Sequence, residues 1–186
     1  MASGIILAGG LSSRAQTNKM SFLFDGKPLL QHTIDSLEPF VDTIYLVTGH
    51  YDQEIRSFIK ESPKIKIVYN KDYQKGMFSS VLTGAREVND DVFILPGDIP
   101  FIKKETYQAL LNGSLDIRCP IYQSKEGHPL FIKKELVKEL IKEPIDSNLK
   151  LFRDKHELER IEVNDKNILK DIDTVEQYKE ITKERM

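Results

Sequence analysis

The chain has one cysteine, Cys119, and no tryptophan in 186 residues. A lone cysteine excludes an intramolecular disulfide framework and is too few for a cysteine-based zinc site. Cys119 reads instead as a small buried residue on a strand. No apolar run approaches the ~20 residues of a membrane-spanning helix. The first residues also lack the basic region and apolar core of a secretory signal. A cytoplasmic protein with no membrane attachment is therefore expected. Neither sign of charge is in excess: 27 Lys and Arg against 29 Asp and Glu leave a net charge of −2. No overall basic field points to nucleic acid. Both common phosphate motifs are missing too, the loop ending Gly-Lys-Ser/Thr and the GxGxxG fingerprint. His32, His50 and His156 have no metal-ligand spacing. With no linker, repeat or low-complexity tract, 186 residues suffice for one domain with its own core.

What is present alternates strand-like with helix-like segments. Ile5, Ile6 and Leu7 read as a buried first strand. An Asp25-Gly26 turn follows, then Leu30, Ile34 and Leu37 at helical spacing up to Pro39. Thr43–Thr48 reads as a second strand, and Ile55, Phe58 and Ile59 mark a helix. Ile65, Ile67 and Tyr69 form a third strand, followed by a helix over about 79–88. The unbroken apolar run Val92-Phe93-Ile94-Leu95 fits a central parallel strand covered on both faces. This βαβαβαβ order predicts an α/β protein with a parallel sheet and helices on each side. Beyond a helix near 107–111 the rhythm changes. Segments 116–123 and 128–132 flank Ser124-Lys125-Glu126-Gly127 as a hairpin, hence an antiparallel insertion. Helices at 135–141 and 148–152, a strand at 160–163, and a last helix capped by Thr174 and Gln177, with Val175, Tyr178 and Ile181 buried, complete the reading.

The first strand runs directly into Gly9-Gly10-Leu11-Ser12-Ser13-Arg14, with Lys19 beyond and no acidic residue before Asp25. Exposed N–H groups at the glycines, two hydroxyls and two cations describe a polyphosphate site. The alternative is an ordinary strand-to-helix turn with solvated cations. Leu95-Pro96-Gly97-Asp98-Ile99-Pro100 puts Asp98 just past the fourth strand, at the edge where open α/β sheets bind ligands. A carboxylate there suits Mg²⁺, which takes one or two carboxylates plus substrate oxygens; a plain Pro-Gly-Asp turn is the competing reading. In Lys170-Asp171-Ile172-Asp173-Thr174, Asp171 and Asp173 fall on one side of an extended segment. One of them could be a second metal ligand, or they cap the helix that follows.

LAGGLSSR with Lys19, the PGDIP turn and the late DIDTVEQY together resemble the molybdenum cofactor nucleotidyltransferases, the MobA/MocA group. Gly76-Met77-Phe78-Ser79-Ser80-Val81 and Gly127-His128-Pro129 resemble stretches of its cytidylyltransferase branch. The resemblance runs from Ile5 to Tyr178. It implies a single Rossmann-like three-layer α/β/α domain over 1–186, with a mostly parallel mixed sheet of the nucleotide-diphospho-sugar transferase type. Nucleotide binding would fall to about 1–100 and acceptor binding to about 101–186. By matching positions, Leu7, Ala8, Gly9 and Gly10 would approach base and ribose, while Ser12, Ser13, Arg14 and Lys19 would hold phosphates. Asn70, Ser79 and Ser80 would line the nucleotide side, and His128 the acceptor side. Asp98 would bind Mg²⁺ with Asp173 as its partner; Arg14, Lys19 and Asp98 would form the catalytic set.

The implied reaction moves a nucleoside monophosphate from a nucleoside triphosphate to a phosphorylated acceptor such as molybdopterin and releases pyrophosphate. Contact with a molybdoenzyme or its chaperone would follow. Gly9-Gly10 matches the guanylyltransferase form of the loop, whereas the Gly76 and Gly127 stretches match the cytidylyl branch, so CTP is favoured over GTP. Ala15-Gln16 stands where the family usually has Met-Gly, and Asp146-Ser147-Asn148-Leu149-Lys150 keeps only the aspartate of an Asp-x-Gly-x-Arg stretch. Two other readings stand beside it: a nucleotidyltransferase for a sugar phosphate or other small phospho-acceptor, and a nucleotide-binding adaptor without catalysis.

Overall fold

A computed structural model describes residues 2–10 and 18–171. Ser12, Ser13, Arg14, Asp173 and the helix expected after Thr174 lie outside the described residues.

The chain opens with strand β1 (Ala2–Ala8), whose seven residues are all buried. A short ribbon, β2 (Leu23–Phe24) and β3 (Lys27–Pro28), turns at Asp25-Gly26, both with positive φ. Helix α1 (Leu29–Leu37) buries Leu29, Leu30, Thr33, Ile34 and Leu37, and a single 3-10 turn through Pro39 ends it. Next come β4 (Thr43–Thr48), α2 (Asp52–Phe58), β5 (Ile65–Tyr69), α3 (Met77–Ala85) and β6 (Asp91–Pro96). The second half holds α4 (Lys104–Leu111), β7 (Ile117–Tyr122), β8 (Lys125–Glu126), β9 (Leu130–Ile132), α5 (Lys134–Leu140), α6 (Leu149–Arg153) and β10 (Leu158–Glu162).

The main sheet runs β10-β7-β9-β6-β1-β4-β5, with β8 paired to β7. Strands β6, β1, β4 and β5 are parallel. Alternation along these strands divides the core in two. Ile6, Leu46, Phe93 and Leu95 face α1, α2 and α4 through Ile34, Ile55 and Tyr107. Ile5, Val47, Val92 and Ile94 face α3, α5 and α6 through Leu82, Leu140 and Phe152. Each fully buried aliphatic side chain contributes roughly 1.5–3 kcal/mol of transfer free energy, so the central strands, apolar on both faces, are the main ballast of the fold. The result is the three-layer α/β/α architecture.

The antiparallel insertion is present, and the expected pairing of 116–123 with 128–132 is the antiparallel β7–β9 pair. Strand β7 turns through Gln123 and Ser124, both at positive φ, into the two-residue β8. Strand β9 then slots between β6 and β7, antiparallel to both. Val92, Phe93 and Ile94 of β6 present a free parallel-sheet edge that β9 covers. Strand β10 adds parallel to β7. Cys119 lies buried on β7 as expected, and burial together with the nearby Glu126 pushes its thiol up to about 11. Among the described residues no helix is long and apolar enough to cross a membrane.

Candidate active site

The carboxyl ends of β1, β4 and β6 meet the start of α3, and most of the sequence-predicted residues gather there. Leu7 and Ala8 send their side chains into the two cores, so they can offer a ligand only backbone. Gly9 lies where close approach forbids a side chain: a Cβ there would stand 2.8 Å from Ser80 Oγ. Gly49, directly after β4, is tighter still, since its Cβ would meet Gly9 O at 2.5 Å and Tyr73 Cβ at 2.7 Å. Gly10 is exposed, with open space around it. The two strand ends thus touch through bare backbone and form a narrow notch. Gly49 was not singled out from sequence, although it carries the same signal as Gly9, a glycine ending a buried parallel strand.

Asp98 is fixed by the turn that leaves β6. Gly97 donates its N–H to Leu7 O at 2.9 Å and accepts from Thr33 Oγ1 at 2.7 Å, pinning the turn between β1 and α1. Met20 packs into the same place: a Cβ on Gly97 would meet its sulfur at 3.1 Å. That packing anchors the 3-10 turn Lys19–Ser21, which Asn18 caps by accepting the Met20 N–H. Lys19 is therefore carried to Asp98, and its ammonium lies 2.5 Å from Asp98 Oδ2. Asp98 is only 8% exposed, and among the described residues its Oδ1 has no hydrogen-bond partner. The sequence reading gave Lys19 to phosphate and Asp98 to metal as separate tasks; the structure makes them one ion pair.

Across from this pair sits His128, joined to Pro129 by a cis peptide bond and held by its N–H to Ile168 O at 2.9 Å. Burial holds its imidazole below the ordinary histidine value, against the opposing pull of Asp98 and Asp171. Its Nδ1 is buried without a partner among the described residues. Asp98, Lys19, His128, Asp171 and the exposed Met77 line one cleft of about 450 Å³. Glu126 also borders it. Burial would raise this carboxyl, but hydrogen bonds from Arg160 and Arg153 outweigh that and hold it below the usual range. Met77 lies in the Gly76–Val81 stretch and Glu126 in the expected turn, but neither was expected at the site, because a rim position depends on how β8 and α3 dock.

Asn70, Ser79 and Ser80 form a buried polar knot at the opposite side of the notch. Asn70 Nδ2 donates to Ser79 Oγ at 2.8 Å and to Ser80 Oγ at 3.0 Å. Its Oδ1 accepts from the Asp72 N–H at 2.9 Å and from Thr83 Oγ1 at 3.2 Å. Ser79 Oγ in turn reaches Gly76 O at 2.8 Å and Asp72 O at 3.0 Å. Thr83, four residues after Ser79 on α3, belongs to this knot and was not predicted.

A metal was expected at Asp98. Among the described residues no group of three or more His, Cys, Asp and Glu side chains could hold one. One buried carboxylate oxygen with no partner fits a hard cation whose other ligands are substrate oxygens and water.

The chain is similar over 94% of its length to the molybdenum cofactor cytidylyltransferase of Escherichia coli (strain K12), at 27% identity and 92% of that protein's length. It is 28% identical to a probable molybdenum cofactor guanylyltransferase of Natranaerobius thermophilus, covering 81% of this chain and 78% of that one. In fold it resembles a Mycobacterium sp. strain JC1 homologue of the Mycobacterium tuberculosis protein Rv0371c. The TM-score is 0.82 at 22% identity, over 98% of this chain and 96% of the other. With the MobA-like NTP transferase domain matched across residues 4–160, over the sheet and cleft just described, the chain belongs to that family of nucleotidyltransferases.

Proposed function

We propose that the protein transfers a nucleoside monophosphate from a nucleoside triphosphate, CTP in preference to GTP, to the phosphate of a molybdopterin-type acceptor. The observation that carries this reading is the Lys19–Asp98 pair with its uncommitted Asp98 oxygen, facing His128 across one cleft. An acceptor phosphate oxygen attacks the α-phosphorus. The new O–Pα bond forms as the bond from Pα to the bridging oxygen breaks, and pyrophosphate leaves. A phosphate monoester has a second pKa near ~6, so the nucleophile is already largely dianionic at neutral pH and needs no general base. The cleft accordingly needs no acid–base dyad.

What the reaction requires is neutralised charge and alignment. Gly9 and Gly10 offer bare backbone for base and ribose to approach. Lys19 supplies a cation beside Asp98, and Arg14 is proposed as a second. Asp98 would hold Mg²⁺, with Asp173 as its proposed partner, and bound Mg²⁺ supplies charge neutralisation for the phosphates. His128 presents a neutral ring to the acceptor. Contact with a molybdoenzyme or its chaperone would follow from such a product.

The test is pyrophosphate release measured with each of the four triphosphates, Mg²⁺, and either a pterin phosphate or a sugar phosphate. Release that requires CTP and the pterin phosphate supports the reading. Release only with a sugar phosphate reassigns the acceptor, and nucleotide binding without release under every combination points to an adaptor.

A further inference from the structure

Asn70 is 1% exposed and uses its entire amide internally, with two N–H bonds to Ser79 and Ser80 and two acceptances from the Asp72 N–H and Thr83. The orientation of that amide is forced. A backbone N–H can only donate, so the atom facing Asp72 must be the oxygen and the atom facing the serines must be the nitrogen. Nothing on Asn70 is left for a ligand. Its two serines differ, however. Ser79 spends its own proton on the carbonyls of Gly76 or Asp72. Ser80 receives the Asn70 N–H and, among the described residues, has no acceptor for its own O–H. Ser80 is itself only 4% exposed, and its hydroxyl packs against Gly9, where a Cβ would stand only 2.8 Å away, so a buried donor without an acceptor lies directly against the bare backbone of Gly9.

We propose that Asn70 is a positioning residue that sets nucleobase choice through Ser80 without touching the nucleotide. By filling one lone pair of Ser80, it presents the hydroxyl outward as a donor. A donor at that point selects a base with an acceptor ring nitrogen, as N3 of cytosine is, over one with an N–H there, as in uracil. This rests on the reading that the nucleotide lies over Gly9 and the first turn of α3. It also makes a reversal available. In Asn70→Asp a carboxylate faces Ser80, still accepts the Asp72 N–H, and draws the serine proton inward, so that only lone pairs face the base.

The experiment is calorimetric titration of the wild type, Asn70→Asp, Ser80→Ala and the double variant with CTP, UTP and inorganic triphosphate, all with Mg²⁺. The wild type is expected to prefer CTP. Asn70→Asp should shift the CTP-to-UTP ratio at least ~10-fold toward UTP, the discrimination of one hydrogen bond made or left unpaired. Affinity for inorganic triphosphate should be unchanged. Ser80→Ala should flatten the ratio, and adding Asn70→Asp to it should do nothing more. If Asn70→Asp weakens all three ligands equally, Asn70 is a packing residue and the proposal fails. It fails too if the shift survives in the Ser80→Ala background, or if the wild type prefers UTP. Should Asn70→Asp not fold, an unchanged CTP-to-UTP ratio in Ser80→Ala overturns the proposal and a flattened one supports it. A wild type that binds neither nucleotide overturns the nucleotide-site reading itself, a result distinct from all of these.

Discussion

Lys19 Nζ and Asp98 Oδ2 stand 2.5 Å apart, both side chains nearly buried, at the junction of the β1 loop and the turn after β6. The pair sets a competition, since the carboxylate that would take a divalent cation already holds an ammonium. Lys19→Ala and Asp98→Ala are each expected to lower turnover at least ~100-fold, the order seen for a main charge stabiliser. They should part in metal binding without nucleotide. Lys19→Met should bind Mn²⁺ alone severalfold more tightly than the wild type, and Asp98→Ala should not bind it. Electron paramagnetic resonance of free Mn²⁺ reads both, and near-normal turnover of either alanine variant would remove that residue from the mechanism.

On the proposed reading His128 would serve the acceptor side, through a buried ring nitrogen that no described group satisfies. Replacing it with phenylalanine keeps the bulk and removes the nitrogen. The acceptor KM should rise about 10-fold, one hydrogen bond's worth, while nucleotide affinity stays at the wild-type value. Steady-state kinetics with each substrate varied in turn distinguishes this from a general loss of structure.

Gly49→Ala would force a methyl into Gly9 O and Tyr73 Cβ, and neither the backbone atom nor the Cβ can rotate away. The chain must shift at the carboxyl end of β1. A loss of ~1–3 kcal/mol in stability is expected, as for other overpacked sites, along with a raised nucleotide KM and an unchanged acceptor KM. Denaturant melts beside the two KM values check it.

Asp91 ties the start of β6 to the start of α5, accepting from Lys133 Nζ at 2.9 Å and from the Lys134 N–H at 2.9 Å. Burial alone would raise its carboxyl; these two bonds and the Lys133 charge outweigh that and hold it below the usual value. A depressed folded-state pKa gives stability that is fully present above the unfolded value, ~3.9, and is lost as pH falls through the folded one. Since Lys133 is partly solvated, Asp91→Asn should cost only about 1 kcal/mol at pH 7. That gap should begin to narrow as pH falls below ~4. Urea melts at pH 7 and pH 3 decide the point, because a constant gap would mean that the ion pair is not its source.

Much of this was legible in the chain because parallel strands buried on both faces leave long apolar runs. Ile5-Ile6-Leu7 and Val92-Phe93-Ile94-Leu95 announced themselves, and Asp98 followed from its place just beyond the second run. The antiparallel pairing of β9 with β7 was legible, but its pairing with β6 was not. Leu130–Ile132 is three apolar residues, and which strand covers them is decided by the free edge of β6 rather than by anything local. For the same reason the chain could suggest Asn70 near the nucleotide but not that its amide is spent internally. That depends on Thr83 and Asp72 arriving from different elements. The Lys19–Asp98 pairing was hidden likewise, because it depends on Met20 packing against Gly97.

The insertion of β9 beside β6 has a consequence for how such a protein can diverge. The strand that leads into Asp98 and the strand that follows His128 are neighbours in one hydrogen-bonded ladder, so in the proposed reaction donor and acceptor would hang from adjacent strands of a single beam. Their spacing is fixed by strand pitch rather than by a hinge. Yet β9 and its flanks come from a separate stretch of chain. On the proposed division, residues beyond β6 could be rewritten for a new acceptor while the donor half keeps its alignment.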